Sequence, residues 1–316
     1  MRRLRGEWWA VLAAVGFIGL ELSIRAASAG VAANLGSFLR ILPILVVSWI
    51  VTLLRRTDRA ALATVFRRRG ALVLAALMLD GVFNLYVGTA LKLYALQQGG
   101  IVLTLTAVEV GNLVGAALLV RWLLGQVIPV RVQTGILAII AGTWLASWSR
   151  IFVGHWALAL VMALLAGLAY ALAITAVGYA LRQGMTLWSA LAVSSTVGFV
   201  TAGIAAFASG EAPTPAHVMA GGGTVLGFLC LSGVAYAAAL YFLTGALKRA
   251  PIVSVNAIAG ANGPVAALVG AAIFGPAVTL LLVVGVILVG FGAVMARSHP
   301  DMEAERPGSI AHESAG

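Results

Sequence analysis

The sequence has few charged residues. Asp, Glu, Lys and Arg together make up only 9% of the 316 residues, whereas hydrophobic residues make up 62%. An ordinary globular chain is about 25% charged, so this composition cannot provide a soluble surface around its core. The shortage of charge argues against a soluble enzyme, a coiled coil and a disordered chain, and it predicts an integral membrane protein.

Cysteine is almost absent, and other chemical signatures are missing as well. Cys230 is the single cysteine, which excludes a disulfide scaffold. The four histidines lack the spacing of metal ligands, and no Gly precedes a Lys, so a phosphate-binding P-loop is excluded. We therefore expect no metal, no cofactor and no ATP-driven pump. An intramembrane enzyme would need catalytic polar groups clustered near one interface, and the sequence has no such cluster, so we expect that the protein is not an enzyme.

Long apolar runs fill most of the chain. A bilayer core of about 30 Å is crossed by about 20 apolar residues in a helix. Strands of a membrane barrel alternate polar and apolar residues, whereas these runs are continuously apolar. Division at polar, charged and Gly/Pro clusters predicts ten transmembrane helices, at about 8–28, 36–54, 70–94, 100–124, 130–149, 155–182, 185–208, 222–246, 251–274 and 277–296.

The basic residues indicate the orientation of these spans. There are 20 Lys and Arg against 10 Asp and Glu, and 16 of the 20 fall on the cytoplasmic side if the N-terminus is cytoplasmic. Because the basic residues lie between apolar spans, they are interpreted as topology signals and no nucleic-acid partner is expected. Both termini are expected in the cytoplasm, with residues 298–316 as a disordered tail. The Ala, Gly, Val and Arg content and the lack of Asn-x-Ser/Thr sequons favour a bacterial plasma (inner) membrane.

Four segments recur in the same order at a nearly constant offset. The first members of the four pairs are Leu77–Val82, Tyr94–Val102, Asn112–Leu118 and Gly135–Gly142. Each has a counterpart 150 to 152 residues later. Each match is weak because Ala, Leu and Gly dominate the composition, but four in order are hard to obtain by chance. The chain is therefore predicted to contain two five-helix halves, residues 1–150 and 151–297.

The odd number of helices in each half sets the relation between the halves. The second half enters the membrane from the opposite side, which predicts an inverted-topology repeat. This arrangement is typical of secondary transporters, whose binding site lies near the midplane between the repeats.

The same segments resemble a known family. Tyr94–Leu96, Gly135 and Gly142, their counterparts in the second half, and Arg40 at the start of the second span are similar to the drug/metabolite transporter superfamily, specifically its ten-helix EamA-type members. The resemblance covers about residues 8–297 and implies a ten-helix transporter of small organic metabolites, such as amino acids, acting as an exporter.

Three positions depart from the family pattern. Val114 stands where a proline is usual in the fourth helix, although Pro264 is present in the ninth. The family's acidic residue after each of these helices is replaced by Gln126 and Pro276. The role of that acidic residue is therefore not carried over to this chain.

Charged groups inside the apolar spans are candidate functional residues. Burying a charge in a bilayer costs at least about 2.5 to 3.5 kcal/mol, so such groups mark sites by default. At 1.5 Å of rise per residue, Asp80 and Glu109 are about 15 and 14 Å deep, and Asn262 is about 16 Å deep. All three are therefore expected near the midplane.

Spacing places further polar residues beside these acids. Asn84 shares a helix face with Asp80, and Asn112 shares one with Glu109. The two acids are interpreted as a substrate or proton site, or alternatively as protonated, structural groups bonded to a neighbouring helix. Glu21 and Arg25, at i and i+4, are expected to form an ion pair, and Arg40 is expected to snorkel to the outer surface. The predicted substrate and proton pathway consists of Glu21, Arg40, Asp80, Asn84, Glu109, Asn112 and Asn262.

Together these features predict a secondary transporter of small organic metabolites that works by alternating access and is proton-linked or facilitative. The alternative is a translocase of a lipid-linked or amphipathic substrate, since a cavity with few charges would also suit an amphiphile. The expected partners are a small-molecule solute and membrane lipid, and association into a homodimer stays open.

Overall fold

The computed structural model describes residues 2–124, 130–148, 155–211, 222–247, 262–274 and 279–297. Of these residues 94% are helical and none is in a strand. The predicted all-α class is confirmed. The predicted tail, 298–316, lies outside the described residues.

The helices follow one another with short connections wherever the connection is described. We number them α1 to α10, with a π-helical segment, Gly81–Gly88, between α3 and α4. Their bounds are α1 Arg2–Ser28, α2 Ala33–Leu54, α3 Arg56–Asp80, α4 Thr89–Leu124, α5 Val130–Ser147, α6 Trp156–Arg182, α7 Leu187–Ala208, α8 Gly222–Leu247, α9 Asn262–Phe274 and α10 Leu280–Arg297.

Six helices in the described part of the chain are long and apolar enough to cross a membrane. Five of them are single helices of 21 to 27 residues, and the sixth is a continuous apolar stretch, Gly70–Leu119, of 50 residues. Large apolar side chains such as Leu54, Val130 and Leu280 are more than 70% exposed, which suits contact with lipid and not with water. The protein is an all-helical membrane protein.

The 50-residue stretch bends sharply at Gly100. This residue has φ 73° and ψ 177°, a conformation that residues with a Cβ rarely adopt. The predicted boundary between the third and fourth spans, at residues 94–100, falls at this bend. Gly100 therefore divides α4 into two parts. The first part continues from the π-helical segment, and the second part begins at Ile101.

Helix pairs pack through small residues, as is common in membrane proteins. The most extensive contacts are those of α4 with α6, α5 with α10, α1 with α8 and α2 with α7. A Cβ placed on Gly142 would lie 2.6 Å from the Gly285 carbonyl oxygen, and one placed on Gly292 would lie 2.5 Å from the Gly135 carbonyl oxygen. The backbones of α5 and α10 are thus in direct contact at two levels.

Two further glycines bring helices close to the centre of the fold. A Cβ on Gly81 would collide with the carbonyl oxygen of Ser194 in α7, and one on Gly233 in α8 would lie 2.6 Å from the Arg40 carbonyl oxygen in α2. These contacts fix the π-helical segment against α7 and α8 against α2. They also set the positions of Asp80 and Arg40.

Substitution of Gly285 tests whether these contacts stabilise the fold. We expect Gly285→Ala to lower the free energy of unfolding by about 1 to 3 kcal/mol, because its methyl group overpacks the interface with α5. Gly227→Ala is the matched control, since a Cβ there meets nothing within 4 Å. Thermal unfolding in detergent measures both variants, and an equal effect of the two would contradict the assignment of Gly285 to a tight contact.

Candidate functional site

Three charged side chains are almost completely buried in the middle of the helix assembly. Arg40 is 3% exposed, Asp80 1% and Lys92 3%. Burial of a charge is costly unless the group is paired or hydrogen-bonded, so each of these residues requires a compensating partner. Their partners define a single polar region.

The π-helical segment positions the residues around Asp80. A π-helix widens the helix by one residue per turn and is often found at functional sites. The segment begins directly after Asp80 and ends directly before Thr89. The Thr89 hydroxyl donates to the Asn84 carbonyl oxygen at 3.2 Å, which satisfies an acceptor within the widened turns.

Asp80 is linked to the second half of the chain through an amide. The Asn84 Nδ2 group donates to Asp80 Oδ1 at 3.0 Å and to the Tyr236 hydroxyl oxygen in α8 at 3.1 Å. No described cation forms an ion pair with Asp80. The carboxyl group is therefore surrounded by neutral hydrogen-bonding groups.

Arg40 approaches the same tyrosine from α2. Its Nη1 atom donates to Thr89 Oγ1 at 2.7 Å, and its Cζ atom lies 5.3 Å from the centre of the Tyr236 ring. A guanidinium at this distance from an aromatic ring gains a cation–π attraction. The Arg40 Nε atom is buried and has no hydrogen-bond partner among the described residues.

Lys92 forms an ion pair between α4 and α1. Its Nζ atom lies 2.9 Å from both Glu21 carboxylate oxygens and 5.6 Å from the centre of the Tyr170 ring. Phe17, one turn before Glu21, packs edge-on against Tyr236 with ring centroids 6.4 Å apart. The Lys92 pair is therefore connected to the group around Asp80 and Arg40.

We call this region the polar centre and define it by Glu21, Arg40, Asp80, Asn84, Thr89, Lys92, Tyr170 and Tyr236. It contains two basic and two acidic side chains, so its formal charge is zero when all four are ionised. The region offers hydrogen-bond donors, acceptors and aromatic faces within an apolar surrounding. Such a set can bind a polar solute or exchange a proton.

Four of the seven predicted pathway residues belong to the polar centre, but two of them have unexpected partners. Glu21 pairs with Lys92 on another helix, whereas Arg25 Nη1 donates to the Leu96 carbonyl oxygen at 2.7 Å. Glu21 thus has a partner that the i, i+4 spacing did not suggest, and the expected Glu21–Arg25 pair stays a prediction. Arg40 does not snorkel outward, because Thr89 and Tyr236 hold its side chain inside the protein.

The other three predicted residues lie elsewhere. Glu109 and Asn112 are partly buried on α4 beyond the Gly100 bend, where the Asn112 backbone packs against Gly167 of α6. Asn262 is the first residue of α9 and is partly buried. The predicted approach to Asn262 through 251–261 lies outside the described residues. The described contacts of the polar centre involve none of the three.

Sequence reasoning missed Lys92 and Thr89. Lys92 is not among the predicted pathway residues, although a lysine inside an apolar run is itself a signal of a site. Tyr170 and Tyr236 are not among them either. Nothing in the local sequence distinguishes them from packing residues, because their role depends on helices that are distant along the chain.

Comparison with known proteins supports the fold and not a particular activity. The sequence matches no protein-family model, and no curated protein matches it. Among solved structures, 17 chains are similar. One, described as "Crystal structure of protein", is 16% identical with a TM-score of 0.58, over 93% of this chain and 96% of that chain. The helical arrangement is therefore one that has been observed experimentally in another protein.

A double-mutant cycle tests the Lys92–Glu21 pair. We expect Lys92→Met to lower the free energy of unfolding by about 3 kcal/mol, because it leaves the Glu21 carboxylate without its cation. Adding Glu21→Leu should recover most of this loss, since the unpaired charge is then removed. Unfolding in mixed detergent measures all four proteins. Additive losses in the double variant would mean that the two side chains do not interact.

Proposed function

We propose that the protein is a secondary transporter of small organic solutes, built from two inverted five-helix repeats and working by alternating access. The observation that carries the proposal is the buried, charge-balanced polar centre at the contact between the two halves. The resemblance to EamA-type transporters gives the solute class, metabolites such as amino acids, and favours export. The proposal includes ten spans, halves at 1–150 and 151–297, cytoplasmic termini and a bacterial inner membrane.

Contacts between equivalent positions support the inverted repeat. Asn84 and Tyr236 are related by the offset of 152 residues that aligns Leu77–Val82 with its counterpart, and their side chains are hydrogen-bonded to each other at 3.1 Å. Two equivalent residues can touch only if they lie near the axis that relates the repeats. On this argument the polar centre lies on a pseudo-two-fold axis.

The glycine contacts between α5 and α10 are related by the same repeat. An offset of 150 converts Gly135 into Gly285 and Gly142 into Gly292, and it therefore converts the Gly142–Gly285 contact into the Gly292–Gly135 contact. Both contacts are present between α5 and α10. An arrangement of this kind is expected when two similar helices pack about a two-fold axis.

The close contacts at Gly81 and Gly233 are a second pair of contacts that the repeat relates to each other. These glycines are 152 residues apart, and they meet the Ser194 and Arg40 carbonyl oxygens, respectively. Exchange of the two halves would then place Ser194 at the position of Arg40, at an offset of 154 residues, two more than that of the glycines. Inverted-repeat transporters bind solutes near the midplane between their repeats, which agrees with a site in the polar centre.

Asp80 is the proposed proton-exchanging group. Its partners among the described residues are neutral, and low-dielectric surroundings disfavour an unpaired charge. Glu21, by contrast, is paired with Lys92, whose Nζ atom lies 2.9 Å from its carboxylate. Exposure of Asp80 first to one side of the membrane and then to the other would link proton movement to solute movement.

Burial of the polar centre favours a small solute over a lipid-linked substrate. Arg40, Asp80 and Lys92 are each at most 3% exposed, whereas a lipid translocase needs its polar groups to be reached from the bilayer. Uptake and efflux in proteoliposomes with a panel of metabolites separates the two functions. Saturable movement of a water-soluble solute supports the proposal, and movement of labelled lipid alone supports the translocase.

Reporter fusions test the proposed topology. We expect a reporter fused after Gly316 to be cytoplasmic and one inserted near Pro213 to be on the outer side, because an odd number of spans separates these positions in the ten-span arrangement. Activity of paired cytoplasmic and periplasmic reporters measures each location. A cytoplasmic position for Pro213 would contradict both the span count and the inverted repeat.

Substitution of Asp80 tests proton coupling. We expect Asp80→Asn to abolish the dependence of transport on an imposed pH gradient, because an amide keeps the hydrogen bond from a neighbouring group but cannot release a proton. Glu109→Gln is the matched comparison, since Glu109 lies outside the polar centre, and this variant should keep the dependence. The measurement is solute flux in proteoliposomes with and without the gradient. Full gradient dependence in Asp80→Asn would show that Asp80 is not the coupling group.

A further inference from the structure

A cavity of about 330 Å³ lies beside the polar centre, next to the start of α2. Ala90 and Leu91 on its wall fall between Thr89 and Lys92 of the polar centre, and Tyr86 follows Asn84 by two residues. The cavity is within the size range of small-molecule sites, about 300 to 1,000 Å³. The complete lining consists of Ala33, Asn34, Tyr86, Val87, Ala90, Leu91, Tyr94, Met162 and Glu211.

The lining has a distinctive chemistry. Most of it is aliphatic or aromatic, so it suits an apolar molecule about the size of a substituted benzene ring. Among the described lining residues, Glu211 is the one that carries a charge, and that charge is negative. Tyrosine faces and a methionine sulfur attract cations and aromatic rings. An anionic solute would meet repulsion from Glu211 with no lining cation to offset it.

Glu211 is held firmly, but only one of its oxygens is fully used. Oε2 accepts backbone N–H groups of Asn34 at 3.0 Å and Leu35 at 3.1 Å, at the start of α2. Among the described residues, Oε1 accepts only a long bond, 3.4 Å, from the Asn34 side chain. The carboxylate is therefore positioned by one oxygen while the other can accept a hydrogen bond from a ligand.

Asn34 connects this carboxylate to Tyr86, which also lines the cavity. The Tyr86 hydroxyl donates to Asn34 Oδ1 at 3.1 Å, and Asn34 Nδ2 also donates to Ser209 Oγ at 3.1 Å. These bonds join α2, the π-helical segment and the end of α7. A polar rim is thus already ordered at one end of an otherwise apolar cavity, as is usual for sites that fix the orientation of a ligand.

We propose that this cavity is a binding site for a solute with an apolar or aromatic body and a protonated amino group, with the amino group at Glu211 Oε1 and the body against Tyr86, Tyr94 and Met162. The inference deepens the proposed transport function, on which it rests, by naming the class of solute. Because the cavity adjoins the polar centre, a solute bound in the cavity would lie next to the charged side chains that are proposed to take part in transport.

Three ligands that differ mainly in charge test the site. They are 2-phenylethylamine, 2-phenylethanol and phenylacetate, which are cationic, neutral and anionic at pH 7. Isothermal titration with the full-length protein in detergent should give the tightest binding for the amine, weaker binding by about tenfold for the alcohol, and the weakest for the carboxylate. Equal affinities for the three ligands, or preference for the anion, would overturn the proposal.

Two variants locate the site and assign the charge. Glu211→Gln keeps the length of the side chain and an oxygen acceptor but removes the charge, so the amine should lose its roughly tenfold advantage while the alcohol binds as before. Asp58→Asn is the matched control, because Asp58 is an acid in the first turn of α3, much as the Glu211 carboxylate lies at the start of α2, but it does not line the cavity. It should leave all three affinities unchanged.

Met162→Trp fills the cavity and should weaken binding of the amine and the alcohol together, even if Glu211→Gln disturbs the start of α2. Wild-type affinities in Met162→Trp, or wild-type amine selectivity in Glu211→Gln, would place the ligand elsewhere and refute the site. Because the titrations need no membrane or gradient, they are independent of transport. Amine binding with no solute flux would support the site and count against the proposed function, whereas flux without amine preference would do the reverse.

Discussion

The pairing of charge inside a nearly uncharged interior is the constraint on which the rest of the structure depends. Lys92 and Glu21 bind α4 to α1, and the Arg40–Thr89 bond binds α2 to α4. Each bond is needed because an isolated charge in an apolar medium is far more costly than the bond is favourable. A few polar contacts, together with the close glycine contacts between helices, thus specify the arrangement of the central helices.

Small residues make this arrangement possible. Backbone contact at Gly81 and Gly233 brings the π-helical segment and α8 inward, which leaves Asn84 and Tyr236 within hydrogen-bonding distance. The widened turns then place Asp80, Asn84 and Thr89 toward neighbouring helices. Packing and polar chemistry are therefore linked, since a bulkier residue at either glycine would separate the groups that the charges require.

The sequence predicts some levels of this structure better than others. The all-helical membrane fold follows from composition, and the bend at Gly100 from a glycine pair between apolar runs. Asp80 and Asn84 were predicted together because they are one turn apart, which is local information. The pairing of Glu21 with Lys92 was not predicted, because i and i+4 spacing suggested Arg25 and a single sequence does not specify which helices become neighbours. Arg40 was misjudged for the same reason, since its position near a helix end suggested snorkelling, whereas its partners come from distant segments.

In the proposed repeat the backbones of the two halves are related by symmetry, but the charged side chains are not. Ser232 stands in the second half where the first has Asp80, and exchange of the halves would place Ser194 where it has Arg40. All four charged side chains of the polar centre come from the first half, and the described second half contributes Tyr170 and Tyr236 to it. A charge cluster carried by one half would stay intact while the neutral aromatic residues of the other half move across it, because the Lys92–Glu21 ion pair lies within the first half. Because the backbones of the two repeats are similar, the two halves would pack against each other in two nearly equivalent ways. Because their side chains differ, the solute would meet one set of charges, which would face each side of the membrane in turn.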